Sequence, residues 1–177
     1  MFRDILFQPS AFFKRVSAET DFFDAVVFAL VCSLIPGTII MREQITLGAL
    51  PFFFAGFLFV FIMRLFVDSA ILHGLFKIFG GSAIYQKSLQ ILSYSYAANL
   101  LIVIPALAIE FDIIPVDFSL LFTLYGAYLI TRGGQLIHNL NFEKSVFATF
   151  LWESWYLMTS VILVTLVETF YNKGFYL

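Results

Sequence analysis

Charge is scarce in this chain. Of its 177 residues, 10 are Lys or Arg and 12 are Asp or Glu, which makes 12% charged, about half the ~25% usual in soluble domains. A basic surface is missing too: the net charge is −2, which excludes the electrostatic footprint of a nucleic-acid partner. Cysteine occurs once, at Cys32, so no disulfide within the chain staples the fold. Lying in an apolar run, that thiol reads as a small buried hydrophobe. The opening stretch, MFRDILFQPSAFFKRV, lacks an uninterrupted apolar core and a small-residue cleavage site, so no secretory signal is expected.

What the chain has in quantity is oil. Hydrophobic residues make up 61%, and phenylalanine alone takes 24 positions. A soluble domain of this size leaves much of its area wet and could not cover so much apolar surface. Lipid is the solvent this composition calls for.

Five stretches, 22–41, 51–79, 84–109, 117–140 and 144–170, come near the ~20 residues needed to cross a ~30 Å hydrocarbon core. The expected architecture is therefore an all-α integral membrane protein, with five transmembrane helices in a membrane domain at 21–177. Pro36-Gly37 marks a kink or break in the first span. Pro51 suits the first turn of the second, and Gly80-Gly81 is a credible stop for it. Pro105 bends or breaks the third. Residues 1–20 mix Phe2, Ile5, Leu6, Phe12, Phe13 and Val16 with Arg3, Asp4, Lys14 and Arg15. They read as one or two short amphipathic helices at the membrane interface, with an unstructured tail as the alternative.

Basic residues set the expected orientation. Arg3, Lys14, Arg15, Arg64, Lys77, Lys87, Arg132 and Lys144 fall on one side of a five-span arrangement, against Arg42 and Lys173 on the other. The third-to-fourth connection carries Glu110, Asp112 and Asp117 with no base. The N-terminus is expected in the cytoplasm and the C-terminus outside.

Polar residues inside the spans follow helical spacing. Ser145, Thr149, Glu153, Tyr156 and Ser160 share one face of the fifth span, and Tyr128, Thr131, Gln135 and His138 share one face of the fourth. Gln86, Gln90 and Ser93 line the third below Ala97, and Arg64 and Asp68 form an i,i+4 pair on the second. Lipid cannot satisfy such groups, so these faces are expected to meet in one polar interior. The candidate network is Arg64, Asp68, Gln90, Tyr128, Gln135, His138, Glu153 and Tyr156. Glu153 stands nine residues past Lys144, about 13 Å along a helix, and Arg64 is its expected partner. One reading is structural glue, each polar pair contributing ~0.6 kcal/mol. The other is a functional intramembrane acid.

His73 and His138 make no recognised ligand spacing with Asp68 or Glu153, so no metal is expected. Phosphate loop, nucleophile elbow and HExxH motifs are missing, so neither catalytic residues nor a cofactor is expected, and the chain does not read as an enzyme. Gly133-Gly134 and the Ala70/Gly74 pair point to close helix approach.

Three stretches, in this order, resemble the Yip-domain family of integral membrane proteins, the Rab/Ypt-GTPase-interacting family. ILFQPSAFFKRV is similar to its N-terminal pattern of a proline followed by aromatics. FKIFGGSAIYQKSLQILSYSYAANLL resembles its Gly-containing turn before a helix with a YS element. YGAYLITRGGQLIHNLNFEKSVFATF resembles its later helix, turn and Lys-bearing start of the last span. The resemblance implies a five-span organiser or adaptor acting through lateral contacts with itself or other membrane proteins. Eukaryotic members belong to the Golgi and endoplasmic reticulum and associate with small GTPases. Their long cytosolic N-terminal region has no counterpart before Ala25, so the resemblance does not carry GTPase contact over to this chain. It implies a compact, prokaryotic-type member in the cell membrane. From the residues alone, the alternative function is a small transporter or channel component built around Glu153 and Arg64.

Overall fold

In an apolar surrounding every backbone N–H and C=O must find its partner nearby, and the α-helix provides one within its own segment. The structure, a computed structural model, describes residues 1–18, 21–41, 50–101, 103 and 119–172. It is all-helical, with no strand among the described residues. The helices are α1 (Phe2–Phe7), α2 (Pro9–Ala18), α3 (Phe23–Met41), α4 (Leu50–Ile78), α5 (Tyr85–Ser95), α6 (Ser119–Ile137) and α7 (Phe142–Asn172). After a turn at Tyr96 the helix resumes over 97–101. Pro105, the acidic third-to-fourth connection, Arg42 and Lys173 lie outside the described residues.

Helices α4, α5, α6 and α7 close a ring, each touching the next, with α7 returning to α4. Helix α3 leans on α5 from outside, and α2 leans on α6. With four neighbouring helices, α2, α3, α4 and α6, α5 is the most enclosed element, and all its residues from Ser88 to Ser95 are buried. Leu65, Leu72, Phe76, Leu89, Leu92, Leu129 and Ile130 fill the middle.

Large apolar residues also cover the outside. Phe23, Val27, Val31 and Ile35 recur every fourth residue along the exposed face of α3, and Val146, Phe150, Leu157 and Val161, four, seven and four residues apart, are exposed along α7. Meanwhile Asp68, Ser88, Gln90, Ser93, Thr131, His138, Ser145 and Thr149 are buried. Polarity is inverted relative to a water-soluble fold. By length and composition Phe54–Ile78 can cross a bilayer, and only 22% of its most apolar window is buried. A soluble core helix would be mostly covered. Phe23–Pro36 is apolar but shorter.

Local signals act as their chemistry dictates. Helix α4 opens with Leu50-Pro51 and ends at Ile78, and Gly80 takes φ +93° just beyond, a conformation glycine adopts without penalty. Pro36 does not end α3, which runs through it to Met41. Two residues on, the Thr38 hydroxyl donates back to the carbonyls of Leu34 and Ile35 at 3.0 and 2.9 Å, which keeps this polar group satisfied within its own helix.

The N-terminal segment packs onto the helical domain. It forms two short helices, and Ile5, Phe12, Phe13 and Val16 are buried against protein. The Phe12 ring meets Tyr94 of α5 edge-on at 4.8 Å. Tyr125 of α6 donates to the carbonyl of Leu6 at 2.6 Å, and the Lys87 ammonium donates to that of Val16 at 2.7 Å. The apolar stripe that suits lipid equally suits the groove between α5 and α6, and there the polar groups also find partners.

Candidate functional site

The inward polar residues gather in several places rather than one. The first is on α4 and α7. Arg64 Nε donates to Asp68 Oδ2 at 3.2 Å, one turn away on the same helix. Its Nη2 crosses to α7 and donates to Ser160 Oγ at 2.7 Å and to the Tyr156 carbonyl at 3.2 Å. The guanidinium lies 4.2 Å from the Tyr156 ring centroid, within cation–π range. Trp152 Nε1 donates to the Asp68 carbonyl at 3.1 Å, tying the two helices at the same level. The Asp68 side chain is only 3% exposed, so its charge depends on Arg64.

Arg64 is therefore the partner of Asp68 and not of Glu153. A one-turn neighbour needs no alignment between helices, and it takes the guanidinium first. Glu153 stands close by, within electrostatic reach of Tyr156 and Tyr96. It lines a cavity of about 190 Å³ with Tyr96, Asn99, Trp152 and Tyr156. Among the described residues, none donates a hydrogen bond to its carboxylate.

The second place is centred on Ser88 at the start of α5. Its hydroxyl lies 3.0 Å from His73 Nδ1 of α4 and 2.9 Å from His138 Nε2 just after α6. One hydroxyl proton cannot serve two acceptors, so at least one imidazole must donate to Ser88. His138 Nδ1 is buried with no partner. An orphaned acceptor costs less than an orphaned N–H. The arrangement of least cost has His138 Nε2–H donating to Ser88 and Ser88 donating to His73. Both histidines thus meet, but away from Asp68 and Glu153. No metal-capable group of three or more His, Cys, Asp or Glu occurs among the described residues.

The third is the α6–α7 seam, where Thr131 Oγ1 donates to Thr149 Oγ1 at 3.1 Å and Ser145 Oγ donates to the Thr131 carbonyl at 2.6 Å. Close approach makes this possible. A Cβ on Gly134 would stand 2.4 Å from Ser145 Oγ, and one on Gly133 would stand 2.6 Å from Ile91. Gly74 has nothing within 4 Å of the equivalent position, so the Ala70/Gly74 pair makes no such contact.

The remaining candidates lie elsewhere. Gln90 Nε2 donates to the Asp21 carbonyl, and Gln135 accepts from Arg132 at 2.7 Å. Tyr128 is 44% exposed, its ring 5.8 Å from that of Tyr125. Helical stripes find the buried polar residues of α7 well, because one face of that helix is open to the outside. They miss Ser88 because α5 is enclosed on every side. The signal for Ser88 is compositional: Ser88, Gln90, Ser93 and Ser95 interleave with Leu89, Ile91 and Leu92, so no wholly apolar face is left to turn outward.

Hydrogen-bonding groups turned inward and oil turned outward define the class, an all-helical domain made for an apolar surrounding. The chain belongs to the Yip1 domain family, whose profile matches residues 3–166. No curated protein and no solved structure is significantly similar to it.

Proposed function

We propose that this chain is a multi-pass membrane protein whose five apolar stretches cross the bilayer, with the N-terminus in the cytoplasm. Its role is that of a non-enzymatic organiser or adaptor, acting through lateral contacts with other membrane proteins or with copies of itself. Family membership, the outward apolar faces of α3, α4 and α7, and the one-sided distribution of basic residues support this reading. One observation carries the adaptor role. The inward polar groups bind each other in separate sets, with Arg64 bonded to Asp68, Tyr156 and Ser160 at 3.2, 3.2 and 2.7 Å. Such bonds fix helix register and leave the outer faces for recognition.

The cavity beside Glu153 favours a second reading, a small transporter or channel component. Photo-crosslinking residues placed at Val27, Phe59 and Val161 in native membranes test the first. Discrete protein adducts are expected from at least one position. Lipid adducts alone at all three positions would sink the adaptor role. Flux of protons or solute in proteoliposomes, lost on Glu153→Gln, would put the second reading in its place.

A further inference from the structure

We propose that the cavity beside Glu153 is a binding site for a small organic cation carrying a primary or quaternary ammonium group. This goes beyond the adaptor reading and shares only its location with the transporter reading.

Charge is unevenly matched around this cavity. Three ionisable side chains converge on Tyr156: Arg64, Asp68 and Glu153. Arg64 and Asp68 neutralise each other at 3.2 Å, which leaves the Glu153 carboxylate without an ion-pair partner among the described residues. That carboxylate opens onto the cavity and accepts no hydrogen bond among the described residues. The Asn99 side chain and the hydroxyls of Tyr96 and Tyr156 line the same space, again with no hydrogen bond to any described residue. Elsewhere in the interior, Thr131, Thr149, Ser145 and Ser88 all find partners. Around this cavity, by contrast, a carboxylate, a carboxamide and two phenols stand together without a hydrogen bond to one another or to any other described residue.

Size and wall chemistry select the ligand. The cavity holds about 190 Å³, several times the ~30 Å³ a water occupies in the liquid, and far more than a bare ion fills. One carboxylate with neutral oxygens is too few hard ligands to hold a divalent cation. Phe122, Trp152 and Tyr96 supply aromatic wall, which attracts an alkylated ammonium through its ring faces. The Tyr156 ring already meets Arg64 at 4.2 Å and the Trp152 ring at 5.3 Å, so Tyr96 and Phe122 are the rings offered to the ligand.

Such a group could belong to a free amine or to a lipid headgroup, and the experiment separates them. The full chain is placed in nanodiscs of phosphatidylglycerol alone and titrated with radiolabelled choline and ethanolamine. Saturable binding is expected, displaced by the unlabelled amines but not by 3,3-dimethylbutan-1-ol, the neutral isostere of choline. Glu153→Gln is expected to weaken binding about tenfold or more, and Tyr96→Phe to weaken it less. Should the soluble amines fail, native mass spectrometry from discs containing phosphatidylethanolamine and phosphatidylcholine decides for the lipid source. Retention of one of these lipids by the parent, with loss in Glu153→Gln, supports it. Equal displacement by the neutral isostere, or binding of neither amines nor lipids, overturns the proposal. The isostere comparison uses only the parent protein, so it decides the matter even where Glu153→Gln misfolds. Protein adducts in native membranes combined with no ammonium binding would refute this site and leave the adaptor reading standing.

Discussion

Ser88 Oγ of α5 lies 2.9 Å from His138 Nε2, and both residues are fully buried. The bond joins the start of α5 to the end of α6 in the protein interior. Removing the hydroxyl would orphan a second nitrogen on His138, whose Nδ1 already lacks a partner. Ser88→Ala is expected to destabilise the solubilised protein by about 1–3 kcal/mol, measured by thermal unfolding in detergent. Ser88→Thr, which keeps the hydroxyl, should recover part of the loss.

The ion pair on α4 predicts a specific coupling pattern. Arg64→Ala leaves Asp68, 3% exposed, as an uncompensated buried charge, typically a loss of ~3–5 kcal/mol. Adding Asp68→Ala should restore part of it. A double-mutant cycle on Arg64 and Asp68 is expected to give a larger coupling energy than one on Arg64 and Glu153, since the latter two do not bond. Equal couplings would mean that Arg64 is shared between the acids.

Two glycines should respond with opposite signs. Gly134→Ala would force a Cβ to 2.4 Å from Ser145 Oγ and 3.0 Å from the Phe76 ring, a clash expected to cost about 1–3 kcal/mol. Gly74→Ala meets nothing within 4 Å and lies inside α4, where alanine is favoured by about 0.5–1 kcal/mol. Melting temperatures of the two variants in the same detergent give the comparison. A destabilised Gly74→Ala would place an unseen neighbour against that face.

The N-terminal helix pair carries a pH dependence. The Arg15 guanidinium, 3.0 Å from Asp4, and the N-terminal ammonium at 3.9 Å hold the Asp4 carboxyl below its ordinary range. A depressed acid stabilises the fold above its unfolded value near 3.9, and that contribution disappears as pH falls through the lower folded value. A spin label at Gln8→Cys, between α1 and α2, is expected to gain mobility on acidification below about pH 4. The pH response should vanish in Asp4→Asn.

Orientation is tested with single cysteines in a Cys32→Ser background. Ser17→Cys is expected to resist an impermeant reagent applied outside intact cells, and Asp112→Cys to react with it. The opposite pattern would invert the topology.

The helices and the outer apolar faces are legible from periodicity because each is a property of one segment. The i,i+4 pairing of Arg64 with Asp68 belongs to a single helix and is legible for the same reason. Pairing Arg64 with Glu153 instead requires knowing how two helices meet. Which residue of α7 stands level with Arg64 depends on the crossing of α4 and α7, and no spacing within either segment records it. The destination of the first helices is ambiguous in a different way. Phe12 and Phe13 would bury equally well in lipid or against Tyr94, and only the donors Tyr125 and Lys87, on other segments, tip the choice.

Tyr125 and Lys87 hold the N-terminal helices by the carbonyls of Leu6 and Val16, and Arg64 and Trp152 likewise take carbonyls, of Tyr156 and Asp68. Every residue owns a carbonyl. The clasp is therefore written entirely in the residue that reaches and is blind to the identity of the one it reaches for. Leu6 and Val16 can drift among apolar side chains of similar volume without loosening a hydrogen bond, whereas Tyr125→Phe would release its end of the segment in a single step.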